Sequence, residues 1–234
     1  MPVSEAVAIA FGDITLAATI DWNAAKDKPT ILSLHGGGVS GKERAAYLTK
    51  ELAEAGLSCL RFDFSGWGES GGVQSASSLK QRFKEALTVM ELLDASRPVM
   101  LIATSMGAAT AMELTRHLEI DHLVLFCPAL YARDAFDVPF GDAFTTILHR
   151  KDSFNDADTA LLENYTGTVL HLIGEDDDVI PQAVTDLYEQ HLIHARDAEF
   201  LMLEKCGHNV HAYLQENPHV RQAIIGLILD RIQA

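Results

Sequence analysis

Short apolar runs alternate with segments of helical period from about residue 30 to the end of the chain. We predict strands over six of these runs: 30–34, 58–64, 98–104, 121–127, 168–174 and 198–203. The intervening segments predict helices, the last of them broken near Pro218: 42–55, 78–95, 106–118, 182–193 and 209–232. Two β-prone runs on either side of Gly12 and Asp13 predict a hairpin ahead of this alternation. The pattern favours an α/β fold with a mostly parallel sheet and helices on both faces.

Residues 131–166 are the one long departure from this alternation, because they contain no clear strand. They carry several aromatic and aliphatic side chains, and an insertion of this size in an α/β fold is often a lid or binding loop. The 234 residues suit one domain, and 48% hydrophobic residues are enough for a substantial core. We therefore predict a single domain over 1–234 with a small cap at about 131–166.

Charge and cysteine content exclude several classes of function. The formal net charge of −15 opposes attraction to nucleic acid or an anionic membrane, so a neutral small molecule is the expected partner. Three cysteines, Cys59, Cys127 and Cys206, lack CxxC spacing and predict reduced thiols with no zinc site. The chain shows neither a signal-peptide pattern nor a run of about 18 apolar residues, which predicts a cytoplasmic protein without a membrane span.

Two serines compete for the role of a nucleophile. Ser70 lies in a literal G-x-S-x-G, "GESGG", the pattern that marks the catalytic serine of many hydrolases. The pattern stands for a sharp turn from a strand into a helix, and no helical segment follows Ser70. Ser105 follows the strand "PVMLIAT" and opens the helix "MGAATAMELTRHL", although Ala103 replaces the first glycine of the pattern. We predict Ser105 as the nucleophile, with a helix-capping serine as the alternative, and Ser70 as a polar turn residue.

A serine hydroxyl needs a neighbouring base and a carboxylate to act as a nucleophile. Acidic residues 176–178 follow the strand at 168–174, and His208 follows the strand at 198–203, which gives the chain order serine, acid, histidine. Gly207 allows the loop that carries His208 to turn back over a site. Cys206 is an alternative nucleophile, but a thiol and an imidazole so close in one loop rarely align.

Taken together, these motifs resemble those of the α/β-hydrolases, especially small carboxylesterases of the cinnamoyl or feruloyl esterase kind and relatives of acylaminoacyl peptidases. The segments that carry the resemblance are "LHGGG", "RFDFSGWGESGG", "ATSMG", "IGEDDDVIP" and "CGHN". The family pattern G-x-x-D-x-x-x-P places Asp177 in the acid position, with Asp178 as the alternative. The resemblance also implies an oxyanion hole built from the backbone N–H groups of Met106 and Gly37, with Gly38 as an additional candidate.

The resemblance implies a serine hydrolase that cleaves small carboxylic esters through an acyl-enzyme and needs no metal or organic cofactor. An acyl thioesterase is the alternative enzyme, and a non-catalytic ligand-binding protein is the alternative from another class. In this family the insertion at 131–166 lies on the side of the substrate pocket. Phe140 and Phe144 are therefore expected to bind the apolar part of the substrate, with packing onto the domain core as the alternative.

Overall fold

An eight-stranded sheet forms the centre of the protein in the computed structural model, which describes residues 3–233. Its strands are β1 (Val3–Phe11), β2 (Ile14–Trp22), β3 (Ile31–Leu34), β4 (Cys59–Phe62), β5 (Met100–Thr104), β6 (His122–Phe126), β7 (Thr168–Gly174) and β8 (Asp197–Leu203). Their order across the sheet is β1-β2-β4-β3-β5-β6-β7-β8. The predicted hairpin is β1 and β2, and β2 also pairs antiparallel with β4. All other pairs are parallel, which confirms the predicted sheet.

The helices lie on both faces of this sheet, as predicted: α1 (Ala46–Glu54), α2 (Leu79–Met90), α3 (Met106–Thr115), α4 (Asp142–Leu148), α5 (Ala160–Glu163), α6 (Gln182–His191), α7 (Val210–Glu216) and α8 (Pro218–Gln233). Helix α2 ends at Met90, earlier than predicted, because the N–H groups of Leu92 and Leu93 donate to the carbonyls of Val89 and Met90, three rather than four residues back (both 3.0 Å). None of the helices between residues 3 and 233 combines the length and apolar character needed to cross a bilayer.

The central strands are buried along their whole length, which explains why they are apolar throughout rather than alternating. Of the parallel strands, only the edge strand β8 is exposed or partly exposed along most of its length. Because the parallel strands β5, β7 and β8 run in the same direction, the loops that follow them meet at one edge of the sheet. That edge carries the predicted nucleophile, acid and base.

The segment 131–166 consists of short helical pieces, as its lack of a strand pattern predicts. Besides α4 and α5 it contains the 3-10 turns Arg133–Ala135 and Ser153–Asp156. It is anchored to the start of α2, where the N–H of Phe140 donates to the carbonyl of Ser77 (2.9 Å). The segment also contributes Phe144 to a small buried cluster with Leu79 of α2. The segment therefore packs on α2 and on Met106 and Ala109 of α3, the helix that follows Ser105.

A buried ion pair joins the loop after β3 to the turn after β4. The Lys42 ammonium lies 2.7 Å from Asp63 Oδ2, and the two side chains are 3% and 2% exposed. The Lys42 backbone N–H donates to the other Asp63 oxygen (2.7 Å), and Glu69 provides a second, exposed carboxylate. Burial acts to lower the pKa of Lys42, but its hydrogen bonds to Asp63 and Glu69 outweigh it and raise that pKa. The pair fixes the glycine-rich loop against the sheet.

The literal G-x-S-x-G motif belongs to this turn. A Cβ on Gly68, which has a φ of +48°, would lie 2.2 Å from Asp63 Oδ2, so glycine is required for the carboxylate to approach. The Ser70 hydroxyl donates to the Asp63 carbonyl (2.5 Å) and accepts from the Ala17 N–H (2.8 Å). Both contacts are to backbone groups, which confirms the predicted structural role of Ser70.

Replacing Asp63 by asparagine is expected to lower the free energy of unfolding by at least about 3 kcal/mol, because Lys42 would stay buried with its charge only partly compensated. The matched control is Lys80→Met, which breaks the exposed Lys80–Asp137 pair (2.8 Å) and should cost less than about 1 kcal/mol. Urea-induced unfolding of both variants measures the difference. Equal losses from the two substitutions would contradict a stabilising role for the buried pair.

Candidate active site

Ser105 stands at a strained turn between β5 and α3. Its backbone has a φ of 49° and a ψ of −116°, a conformation that costs a non-glycine residue of order 1 to 3 kcal/mol. The Ser105 N–H is held by the Phe126 carbonyl at 2.9 Å. A Cβ on Gly107 would lie 2.4 Å from the Leu34 carbonyl oxygen, so the second glycine of the motif is obligatory. Ala103 replaces the first glycine of the motif, and its methyl group is fully buried in β5.

Three side chains form one hydrogen-bonded line across the carboxyl edge of the sheet. His208 Nε2 lies 3.2 Å from Ser105 Oγ. His208 Nδ1 lies 2.9 Å from Asp177 Oδ2 and 3.1 Å from Asp177 Oδ1. A carboxylate only accepts hydrogen bonds, so Nδ1 carries the proton and Nε2 is free to accept from the serine hydroxyl. The structure thus brings together the serine, acid and histidine predicted from the sequence.

Asp177 rather than its neighbour contacts the histidine. Its side chain is 1% exposed, and Oδ1 accepts from the N–H groups of Val179 (2.9 Å) and Ile180 (3.0 Å). Burial acts to raise the pKa of Asp177, but the hydrogen bonds from Ile180, the Cys127 thiol, His208 and Val179 together hold that pKa below its usual value. Asp178 is exposed. The acid beside His208 is therefore ionised at neutral pH.

A thiol lies beside the acid and the histidine. Cys127 Sγ, an Asp177 carboxylate oxygen and a His208 ring nitrogen all lie within 4.8 Å of one another. Burial, with the charge of Asp177 as a further cause, raises the pKa of the Cys127 thiol well above its ordinary value. The thiol would have to lose this proton to bind a metal, and Asp177 and His208 are already bonded to each other. Cys127 therefore fits the role of a hydrogen-bond donor that stabilises the Asp177 carboxylate.

Cys206, the alternative nucleophile, lies in an unsuitable environment. Burial and the nearby charges of Asp177 and Asp176 raise its pKa to about 11. Its thiol donates to the Gly207 carbonyl (3.3 Å). Because the thiolate is the reactive form of cysteine, this environment does not activate Cys206.

Gly37 and Met106, the predicted oxyanion donors, both line a cavity of about 320 Å³ beside Ser105. The two residues are in close contact, because a Cβ atom placed on Gly37 would lie only 2.9 Å from Met106 Cε. Met106 is the first residue of α3, so its N–H has no partner within the helix. Within the described part of the chain, neither of the two N–H groups donates a hydrogen bond. Both are available to a ligand.

A buried arginine orients the glycine-rich loop, and sequence reasoning missed it. The fully buried Arg82 guanidinium donates to the carbonyls of His35 and Gly36, the latter at 3.2 Å. It also stacks 3.8 Å from the centroid of the Phe64 ring. In a trans peptide the carbonyl and the following N–H point in opposite directions. Because the Gly36 carbonyl faces Arg82, the Gly37 N–H faces away from it, which is the orientation an oxyanion donor requires.

His35 supports the same loop as a neutral ring. Its Nδ1 donates to the Gly36 carbonyl (2.8 Å), and its Nε2 accepts from the Phe64 N–H (3.1 Å). Burial and the charge of Arg82 lower the pKa of His35 to about 3. This histidine therefore positions backbone and takes no part in proton transfer at neutral pH.

The structure corrects the expectation for Phe140 and Phe144, because neither lines the cavity beside Ser105. Phe144 is buried, and Phe140 packs between it and Trp67 with centroid distances of 4.9 and 5.7 Å. From the same insertion, Tyr131 lines the cavity instead. Tyr131 also lines a neighbouring, mostly apolar cavity of about 270 Å³, together with Phe136 and residues of α2, α3 and α5.

The chain is similar in sequence to one described family and to several known proteins. A model of the family described as Serine aminopeptidase, S33 matches residues 25–153, more than half of the chain. Lysophosphatidylserine lipase ABHD12 of Xenopus tropicalis is 28% identical over 220 residues, which cover 84% of this chain and 56% of that protein. The ABHD12 of Rattus norvegicus is 34% identical over 98 residues, or 40% of this chain and 24% of that protein. The chain spans about half the length of such relatives, or less.

Solved structures with this fold cover almost the whole chain. Est1E from Butyrivibrio proteoclasticus, determined with bound ferulic acid, matches with a TM-score of 0.70 at 17% identity and covers 97% of this chain and 100% of that one. The 2-hydroxy-6-oxo-6-phenylhexa-2,4-dienoate hydrolase of Rhodococcus sp. strain RHA1 matches with a TM-score of 0.74 at 16% identity and covers 100% of both chains. At these identities the likeness is one of fold.

Proposed function

Because the chain belongs to the α/β-hydrolase family described as serine aminopeptidase, S33, we propose that this hydrolase cleaves carboxylic esters of small substrates through an acyl-enzyme on Ser105. The observation that carries the proposal is the hydrogen-bonded line from Asp177 through His208 to Ser105. A non-catalytic binding protein of this fold would have no use for a serine held in strain at the end of that line. The strain and the pairing together favour catalysis.

The geometry supports a sequence of two proton transfers. His208 Nε2 takes the proton of Ser105 Oγ as that oxygen attacks the ester carbonyl. The oxyanion that forms is bound by the N–H groups of Gly37 and Met106, and each such donor typically contributes roughly 3 to 4 kcal/mol to transition-state stabilisation. The imidazolium, stabilised by ionised Asp177, then protonates the departing alcohol oxygen. In the second half of the reaction His208 takes a proton from water, which attacks the acyl-enzyme. His208 then returns that proton to Ser105 Oγ as the acid product leaves.

The choice of esters over peptides rests on the nature of the similar proteins. Est1E is described with ferulic acid bound, and ABHD12 is named as a lysophosphatidylserine lipase; neither description names a peptide. An acyl thioester could react at the same three groups, so a thioester belongs in the test. The family description alone favours a peptidase, and an amide substrate therefore belongs in it as well.

We assign the cavity of about 270 Å³ to the acyl chain and the segment 131–166 to its cover. This cavity shares Tyr131 with the cavity beside Ser105, and its wall is mainly apolar. Phe136 of the segment lines it, so Phe136 takes the role first expected of Phe140 and Phe144. Because Tyr131 lines both cavities, we expect an acyl group attached to Ser105 to enter this cavity past Tyr131.

Activity is tested with p-nitrophenyl esters from acetate to palmitate, a matched acyl thioester and a p-nitroanilide. We expect the esters to give a burst of p-nitrophenol followed by slower turnover, because p-nitrophenolate leaves readily and hydrolysis of the acyl-enzyme is then the slower step. Faster cleavage of the anilide or the thioester would contradict the assignment to esters. The absence of hydrolysis of every member would contradict the proposed function itself.

Phe136→Ala is expected to change the relative kcat/KM among acyl lengths by about tenfold or more, since one methylene in an apolar pocket changes discrimination by about 10- to 200-fold. The matched control is Phe140→Ala, which removes an aromatic ring from the same segment but from the wall of neither cavity. The control should lower thermal stability and leave the profile of chain lengths unchanged. A profile that Phe136→Ala leaves unaltered would contradict the assignment of this cavity.

A further inference from the structure

Arg44 is the one permanently charged side chain among the described residues that line the cavity beside Ser105. Apart from the glycines and two histidines, the other side chains of this wall are uncharged: valine, serine, threonine, methionine, tyrosine and asparagine. The buried member of that histidine pair, His211, has its pKa lowered to about 4 by burial and by the charge of Arg44. Arg44 therefore supplies the one permanent charge on the described wall of this cavity, whereas the ionised Asp177 is bonded to His208 and does not itself line the cavity. The chain as a whole carries −15.

The charge of Arg44 is not neutralised by the protein. Its guanidinium donates to the Asn209 side-chain oxygen (2.8 Å) and to the Val39 carbonyl (2.9 Å), which are both neutral acceptors. No carboxylate in the part of the chain that the structure describes forms an ion pair with it. Its positive charge and remaining N–H donors are available to an anion from the cavity.

The acidic residues around Arg44 are engaged elsewhere. Asp63 and Glu69 both pair with Lys42, and Glu43 pairs with Arg61. Each of these carboxylates therefore has another cation as its partner. Distant surface charges are screened over about 8 to 10 Å at ordinary ionic strength. The overall charge of −15 consequently affects the approach of a ligand more than its binding beside Arg44.

The position of Arg44 relates it to one part of an ester. Its hydrogen bond to Asn209 places it next to His208, the group that protonates the departing alcohol. The cavity assigned to the acyl chain lies past Tyr131 and does not include Arg44. Arg44 therefore lies on the side of the alcohol part of the substrate.

We propose that the ester carries a carboxylate or phosphate in its alcohol part and that Arg44 binds this anion. The inference rests on the proposed function and narrows its substrate class from the neutral molecule that net charge alone predicts. A guanidinium offers several N–H donors in a planar fork that matches the oxygens of a carboxylate or phosphate. Arg44 is in this account a specificity-determining residue, and the reaction at Ser105 does not depend on it.

The test compares two butyryl esters that differ in the charge of the alcohol: 4-carboxyphenyl butyrate and its methyl ester. Both give the same butyryl-enzyme, so kcat/KM reports acylation of Ser105 alone. Arg44→Gln is expected to lower kcat/KM for the anionic ester about tenfold or more relative to the neutral one. Arg44→Lys should retain part of the preference, because it keeps the charge and loses the fork. The butyryl ester of 4-hydroxyphenyl phosphate shows whether phosphate is preferred to carboxylate.

The matched control is Arg150→Gln, which changes the net charge equally at an exposed position paired with Asp134 (2.7 Å). This control should leave the ratio of the two rates unchanged. An equal loss with both esters in Arg44→Gln would show that Arg44 only ties the loops of Val39 and Asn209 together, and would overturn the inference while leaving the proposed function intact. A wild-type protein that hydrolyses neither ester would overturn both.

Discussion

Ser105→Ala is expected to lower kcat for ester hydrolysis by about six orders of magnitude, because the acyl-enzyme can no longer form and the remaining groups catalyse only weakly. The substitution removes one oxygen atom from the half-buried Ser105, so the fold should be retained. Steady-state kinetics with a p-nitrophenyl ester and a thermal melt measure the two effects separately.

The informative control is Ser70→Ala, since Ser70 carries the motif that a pattern search selects. It should lose thermal stability, because the hydroxyl bridges the Asp63 carbonyl and the Ala17 N–H, and it should keep kcat within about tenfold of the wild type. A loss of activity in Ser70→Ala that matches that of Ser105→Ala would contradict the choice between the two serines.

Asp177→Asn is expected to lower kcat by about four orders of magnitude. The amide would remove the charge that stabilises the His208 imidazolium. Its NH₂ group would also donate to Nδ1 and so favour the tautomer with the proton on Nε2, and a protonated Nε2 cannot accept the hydrogen bond of the Ser105 hydroxyl. The measurement is kcat at saturating ester.

Asp178→Asn is the matched control for Asp177→Asn, because it makes the same chemical change one residue away at an exposed position. Its kcat should stay within about twofold of the wild type, as expected for a surface substitution. The reverse pattern, with Asp178→Asn the damaging change, would mean that the loop after β7 is offset by one residue.

The elements that the sequence predicted well are those whose environment is uniform. β3, β4 and β6 are buried on both faces, so their apolar runs indicate strands without a need for alternation. The preference for Ser105 over Ser70 followed from the strand before it and the helix after it. Physical context therefore carried more information there than the literal motif.

The features that the sequence did not predict depend on contacts between distant segments. Arg82 occurs in a helical segment where an arginine ordinarily faces solvent, and only the packed structure shows it bonded to the carbonyls of His35 and Gly36. The position of Arg44 beside Ser105 likewise depends on its hydrogen bond to Asn209, which is far along the chain. Composition indicated an apolar cap but could not show which of its rings face a cavity, and so Phe140 and Phe144 were both misassigned.

Labelling with a fluorophosphonate probe, followed by mass spectrometry of the modified peptide, tests whether Ser105 is the nucleophile. The probe reacts with a serine only where a base activates the hydroxyl and an oxyanion site receives the phosphonyl oxygen. We expect a single adduct on Ser105 that Ser105→Ala abolishes and Ser70→Ala leaves in place. An adduct on Ser70 or Cys206, or no adduct on the folded protein, would contradict it.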